Sequence, residues 1–260
     1  MNDIMQKAIR IAVVGATGRV GKHVARVLEE RGHQVVPISR SAGVDVVTGE
    51  GLADALDGVE VIIDVSSTPS PEQAAATEFF TTTARNLHEA GQKTGVRRMV
   101  VVSIIGIDGS TTGYNAAKLV HEKEALAGPI PTQIVRAAQF NEFVAELVGW
   151  GTQGEVAYVP VMRTQLVAAG TVAEKLVEVA TAAALPPADA PYPEIAGPRA
   201  ENLVDAARLL ATRQGSPSRV EEVSDPANPD RDLYENGAFL PGPHATLAGP
   251  TYAEWLDQQA

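Results

Sequence analysis

The chain has 260 residues, a formal net charge of −11 and no cysteine. Without cysteine there is no disulfide framework, zinc-thiolate site, iron–sulfur cluster or thiol nucleophile. An acidic chain whose longest basic run is Arg97-Arg98 lacks the clustered cations that neutralise nucleic-acid phosphates.

Apolar residues make up 45% of the sequence, enough for a core. No apolar run approaches the roughly 18 residues of a membrane-spanning helix. Met1 to Arg10 lacks the long apolar core of a secretory signal, so a cytoplasmic location and no membrane partner are expected.

In chain order, Ile9 to Val14 is a short β-branched run ending at Gly15 and reads as a buried strand. Gly18 to Arg31 places Val20, Val24, Val27 and Leu28 on one helical face, with Gly32 where a C-terminal glycine is preferred. Gln34 to Ile38, Val44 to Val47 and Val59 to Val65 are predicted strands, with a helical turn over Leu52 to Leu56. A long helix is predicted over Pro71 to Lys93, its inner face formed by Ala75, Phe79, Leu87 and Ala90. Met99 to Ser103 and Thr132 to Arg136 complete six strands, separated by a helix from Tyr114 to Ala127. Strands alternating with helices imply right-handed βαβ crossovers and a parallel sheet covered on both faces. The expected fold is a Rossmann-type doubly wound α/β sheet.

After Arg136 the rhythm changes. Helices are predicted over 141–148, 169–183, 201–213 and 252–258, and strands over 156–159 and 194–196. The stretch 185–193, with Pro186, Pro187, Pro191 and Pro193, reads as an extended loop. The expected division is a Rossmann core over 1–140 and a substrate lobe over 141–260, packed where parallel sheets bind ligands, at the carboxyl ends of the strands.

The strongest chemical signal is Gly15-Ala16-Thr17-Gly18-Arg19-Val20-Gly21, between the first strand and the first helix. Gly15 suits a tight turn, Gly18 a close backbone approach to pyrophosphate, and Gly21 close helix–strand packing. The helix start offers free N–H groups and a positive dipole end. In this context the turn reads as a dinucleotide site rather than an ordinary glycine-rich loop.

The second strand ends in Ser39-Arg40 rather than in the carboxylate that would bond the 2′-hydroxyl of NAD. Arg40 can pair with a 2′-phosphate and Ser39 can donate to it, so NADP(H) is favoured over NAD(H). The plainer reading leaves Arg40 as a solvated loop arginine. Val65, Ser66 and Ser67, after the strand ending at Asp64, either border the cofactor or form a turn cluster before Pro69 and Pro71.

Tyr114 and Lys118 stand four apart at a helix start, hence on one face. A nearby ammonium lowers a phenol's pKa, and such a tyrosine can donate a proton at neutral pH. Ser103, at the end of the fifth strand, lies on the same sheet edge and can bond a substrate carbonyl. An exposed tyrosine beside a surface lysine is the simpler alternative.

GATGRVG (Gly15 to Gly21), DVVTGEGL (Asp45 to Leu52), Arg85-Asn86-Leu87, Val101-Val102-Ser103, Tyr114 to Lys118, RAAQF (Arg136 to Phe140) and the closing Gly249 to Leu256 occur in that order. With these segments the chain resembles the atypical short-chain dehydrogenase/reductases of the NmrA-like group, over essentially its whole length. The resemblance implies a Rossmann core and NAD(P) binding. In catalytic members it implies that Ser103 orients the carbonyl, that Tyr114 is the acid/base and that Lys118 lowers its pKa and holds the cofactor ribose. It also places Gln139, Phe140, Asn141 and Phe143 beside the nicotinamide, as walls and polar contacts of an apolar pocket. Trp150, Tyr158 and Met162 are further candidates. The same group contains cofactor-binding redox sensors that have lost catalysis.

The expected activity is NADPH-dependent hydride transfer to a small apolar or cyclic carbonyl, enone or quinone, by a monomer or homodimer. A non-catalytic NADP(H) sensor and an epimerase using bound cofactor are the alternatives. The five histidines share no metal-ligand spacing, so no metal is expected, and neither a Gly-x-Ser-x-Gly elbow nor a Walker motif occurs. Residues 221–260 hold eight acids against Arg231 alone. The acidic surplus thus lies away from Arg19 and Arg40, as a solubility feature or a contact surface with no assigned role.

Overall fold

The structure, a computed structural model, describes residues 8–187 and 190–259. The expectation that the chain start is not a secretory signal rests mainly on residues 1–7, which lie outside the described residues. So do residues 188 and 189 of the expected proline-rich loop. No described helix is long and apolar enough to cross a membrane.

The strands are β1 (Arg10–Val14), β2 (Gln34–Ile38), β3 (Val61–Asp64), β4 (Arg98–Ile104), β5 (Thr132–Ala137), β6 (Thr152–Gln153), β7 (Val156–Pro160), β8 (Arg163–Thr164), β9 (Glu194–Ala196), β10 (Glu201–Asn202), β11 (Arg219–Val223) and β12 (Thr246–Leu247). The helices are α1 (Gly21–Glu30), α2 (Leu52–Ala55), α3 (Gln73–Thr94), α4 (Gly113–Ala127), α5 (Phe143–Gly151), α6 (Ala169–Thr181), α7 (Leu203–Gln214), α8 (Arg231–Glu235) and α9 (Tyr252–Asp257). The central sheet is parallel, seven-stranded, and ordered β12-β9-β5-β4-β3-β1-β2, a Rossmann-type arrangement. It differs from the six-strand expectation in two ways. Val44 to Val47 is not a strand, and β9 and β12 are added from the end of the chain.

The missing strand has its cause in side-chain hydrogen bonds. Asp45 Oδ1 accepts from the N–H of Val47 (2.7 Å) and of Thr48 (3.2 Å). Asn86 Nδ2 donates to the carbonyls of Val46 (2.9 Å) and Val47 (2.8 Å). Side chains thus take the backbone groups that a ladder would need.

By packing, the chain forms two compact units. Among the described residues, the first comprises 8–102, 120–134, 173–187 and 190, and the second 103–119, 135–172 and 191–259.

In the first unit, Ile11, Ala12, Val13 and Val14 are wholly buried, as a parallel strand covered on both faces requires. α1 buries Val24, Val27 and Leu28. It stops in a Schellman arrangement at Gly32 (φ +79°), where Gly32 N–H donates to Glu29 O and His33 N–H to Leu28 O. Along α3 the buried residues are Ala76, Phe80, Thr83, Ala84, Leu87, His88, Ala90 and Gly91. The first half of the expected face is therefore displaced by one: Ala75 is exposed and Phe79 half-buried. Adjacent Phe79 and Phe80 fit either register. Gly91 helps to decide between them, because a Cβ there would stand 2.7 Å from Ile130 Cδ1.

The second unit has its own core, in which Val144 and Val148 of α5, Val159 of β7, Leu203 and Leu210 of α7, and Tyr252 and Leu256 of α9 pack with Ile107 and Phe239. Met162 belongs to this core at 5% exposure. Asn202 caps α7 by accepting from Val204 N–H, and Thr251 with Glu254 forms a capping box on α9.

Candidate functional site

In the first unit β1 lies between β2 and β3, so the chain leaves β1 in one direction and returns to its other side. The carboxyl ends of β1 and β3 flank this switch point, where open parallel sheets bind ligands. Gly15 leaves β1 with φ +80° and its N–H donates to Ile38 O (2.9 Å), tying the turn to β2. A Cβ on Gly15 would lie 3.0 Å from Val65 O and 3.1 Å from Ser66 Cα. A Cβ on Gly21 would lie 2.1 Å from Gly15 O, and one on Gly18 3.2 Å from the same oxygen. The turn therefore closes on itself and on the end of β3 through the absence of side chains.

α1 has no side-chain N-cap and no acid in its first turn. Thr17 and Gly18 are exposed, Arg19 is half-buried and Val20 is buried. Backbone N–H groups at a helix start, a positive dipole end and no competing carboxylate suit a pyrophosphate. Ser39 is half-buried, with its hydroxyl 3.0 Å from that of Ser41. Arg40 is exposed and, among the described residues, makes no ion pair. Val65 and Ser66 are buried and Ser67 is exposed.

Beneath this turn lies a pair that the sequence reading left without a role. Asp64, at the end of β3, and His121, on α4, are each 1% exposed, with Oδ2 and Nε2 3.2 Å apart. Asp64 Oδ1 accepts from Ser66 N–H (2.9 Å), and the His121 ring stacks on Phe80 at 4.6 Å. The signal was a lone aspartate inside VIIDV, since a charge in a buried strand needs a partner.

In the second unit Ser103, next to the last residue of β4, is 3% exposed, and its hydroxyl has no hydrogen-bond partner among the described residues. α4 opens with Gly113 at φ +64°, followed by half-buried Tyr114. Lys118, one turn on, is 3% exposed, so the pair is not a solvated tyrosine beside a surface lysine. A buried ammonium needs compensation, and buried groups of this kind cluster at functional sites.

Gln139 Oε1 accepts from the Thr164 hydroxyl, and Phe140 bridges to Val167. Asn141 precedes α5 rather than starting it, donating its backbone N–H to Val167 O (2.9 Å). It is wholly buried, and neither atom of its side-chain amide has a hydrogen-bond partner among the described residues. Phe143 meets Trp150 edge-on at 5.7 Å. Trp150 is 71% exposed and Tyr158 is also exposed. Gln139 to Asn141 are thus brought together against 164–167, whereas Tyr158 stands on another strand, β7. No group of three His, Asp or Glu side chains among the described residues is placed to hold a metal ion.

Residues 15–127 match the NAD(P)H-binding family. The chain is 30% identical over 111 residues to the photosystem II assembly factor Ycf39 of Synechocystis sp., a match covering 37% of this chain and 34% of that protein. It is 33% identical over 144 residues to a ceramide reductase of Caulobacter vibrioides, covering 48% and 44%. These matches thus span less than half the length of either relative. Among solved structures, dTDP-4-dehydrorhamnose reductase from Bacillus anthracis, in complex with NADP, superposes with a TM-score of 0.68 at 16% identity. That superposition covers 97% of this chain and 98% of that one, a likeness of fold.

Proposed function

We propose that this chain, an NAD(P)-dependent oxidoreductase of the short-chain dehydrogenase/reductase type, uses NADPH to reduce a small apolar or cyclic carbonyl, enone or quinone. The observation that carries the reading is the buried Lys118 one helical turn from Tyr114, with the unpartnered, buried hydroxyl of Ser103 near the end of β4. The glycine cradle that a Cβ would fill, and the uncapped start of α1, fit the pyrophosphate of a dinucleotide. Thr17 to Gly21 would hold it, and Arg40 with Ser39 would take a 2′-phosphate.

Bound NADPH supplies the hydride. Ser103 donates a hydrogen bond to the substrate oxygen and stabilises the negative charge that develops there. Tyr114 Oη gives that oxygen its proton, and the Lys118 ammonium favours the phenolate that remains. Gln139, Phe140, Asn141 and Phe143 orient the substrate. The ceramide reductase relative favours reduction over epimerisation.

The test follows NADPH oxidation over a panel of cyclic ketones, enones and quinones. Tyr114→Phe is expected to lose turnover by a factor of about 100 or more, with NADPH affinity unchanged. Full activity in that variant would refute the assignment. The Ycf39 match supports a second reading, a non-catalytic NADP(H)-binding regulator. It predicts tight cofactor binding with no turnover anywhere on the panel.

A further inference from the structure

The segment from Ile105 to Thr112 joins Ser103 to Tyr114, and the second unit grips it at several points. Ile105 N–H donates to Ala137 O (3.0 Å). Arg136, 8% exposed, donates from both terminal nitrogens to the Asp108 carboxylate (2.7 and 2.8 Å), and its guanidinium lies 5.1 Å from the centre of the Tyr192 ring. The remaining grips all come from residues 230–239. A Cβ on Gly106 would stand 1.8 Å from Ala238 O, and one on Gly109 3.2 Å from Leu233 Cδ2. Asn115 Nδ2 donates to the Tyr234 hydroxyl (3.2 Å).

The most concentrated of these contacts is Asp230. It is 4% exposed. Its carboxylate accepts from Thr111 N–H (3.1 and 3.0 Å), Thr111 Oγ1 (2.6 Å), Thr112 N–H (3.1 Å) and Thr112 Oγ1 (3.1 Å). All four donors belong to the two residues immediately before α4. N–H groups at a helix start have no acceptor within the helix, and a carboxylate there also meets the positive end of the dipole. The two residues that lead into α4 are therefore anchored by a side chain more than a hundred residues later in the sequence, itself seated by Asp230 N–H donating to Asn228 Oδ1 (2.9 Å).

We propose that Asp230 is a positioning residue for the reaction: by anchoring Thr111 and Thr112, from which α4 starts, it fixes the place of the Tyr114 phenol. The proposal rests on the reading of Tyr114 as proton donor. Tyr114 is the second residue of α4, so any shift or fraying of the helix start moves it directly. Misplacement of a reacting group by ~1 Å can cost on the order of 100-fold in rate. Asp230 thereby gives one member of the acidic surplus of residues 221–260 a role at the site.

The full chain is assayed with NADPH and whichever panel member the wild type reduces fastest. Asp230→Ala is expected to lower kcat by roughly 30- to 100-fold while leaving the KM for NADPH within about twofold. Asp230→Asn keeps one acceptor oxygen and is expected to fall between the two, so the amide rescues part of kcat. Should Asp230→Ala fail to fold, the asparagine variant carries the test. Hydrogen exchange, which needs no substrate, should quicken in residues 108–118 of either variant and leave 15–31 unchanged. Wild-type kcat in both variants while Tyr114→Phe is silent would overturn the proposal and leave Tyr114 standing. Unchanged exchange in 108–118, or a uniform loss of protection, would overturn it as well. Full activity in Tyr114→Phe would remove the reading beneath it.

Discussion

Asp64 Oδ2 lies 3.2 Å from His121 Nε2, with both side chains sealed from solvent, directly under the segment against which Gly15 packs. Burial pushes the Asp64 pKa up. The hydrogen bond and charge of His121, together with Ser66, outweigh this and hold the carboxyl below the ordinary aspartate value. An ion pair of this kind is most costly when half of it is removed. Asp64→Asn is expected to destabilise the chain by about 3 kcal/mol in urea unfolding. It should also weaken NADPH binding, because Ser66 loses its charged acceptor. A loss below about 1 kcal/mol would mean that the pair is close to energetically neutral.

Acid should destabilise the protein in two stages. Burial depresses the His88 pKa from 6.5, and burial with the Arg31 charge depresses that of His33. The His88 contacts explain its preference: Nε2 is 2.9 Å from Ala125 O, while Nδ1 accepts from Ile130 N–H (3.3 Å). Only the neutral ring with hydrogen on Nε2 serves both. A group with a depressed folded pKa contributes stability in full above its unfolded value, and that contribution is lost as the pH falls through the folded value. The melting temperature should therefore begin to fall below pH 6.5. It should fall again below 3.8, as the pH drops toward the lowered values at which folded Asp64, Asp108 (held down chiefly by Arg136) and Asp230 take up protons. Glu201, whose burial raises its pKa, opposes the first descent, one carboxyl against two imidazoles. Thermal melts from pH 7.5 to 3 measure this. A melting temperature that rises between pH 7 and 5 would contradict it.

How much of this was legible in the sequence follows from how local each determinant is. The glycine turn, β2 and the start of α4 were readable because their causes lie within a few residues: a β-branched run, a glycine with positive φ, an i,i+4 pair. The face of α3 was half-readable, because Phe79 and Phe80 fit two registers until Ile130 meets Gly91. Val44 to Val47 looked like a strand because the donor that undoes it, Asn86, is some 40 residues away. β12 has only two residues and no pattern of its own. The Asp64–His121 pair and the hold of Asp230 on Thr111 and Thr112 are contacts between distant segments, and periodicity carries no trace of either.

Arg40 stands at the end of β2, exposed and without an ion pair among the described residues. If it takes the 2′-phosphate, it makes charge-assisted bonds that NADH cannot accept. Arg40→Ala is expected to weaken NADPH binding by roughly tenfold or more and to leave NADH affinity within about twofold. Nicotinamide fluorescence titration of both cofactors reads the difference. Equal changes for the two would place the phosphate elsewhere, with Arg19 the next residue to replace.

Two glycines, Gly21 at the start of α1 and Gly32 just past its end, separate cofactor binding from general stability. A Cβ at Gly21 would lie 2.1 Å from Gly15 O and 2.8 Å from Ala16 Cα, so Gly21→Ala must push the helix start away from the turn. At Gly32 the φ is +79° but nothing stands within 4 Å of a Cβ, so Gly32→Ala strains only the backbone. The strain of a left-handed alanine costs about 1 kcal/mol, and forced overpacking typically 1–3 kcal/mol. Both variants should therefore unfold at lower urea concentration than the wild type. Only Gly21→Ala should lose NADPH affinity, because only there do the N–H groups that would face the pyrophosphate move. Parallel loss of affinity in both would tie binding to overall stability rather than to the shape of the turn.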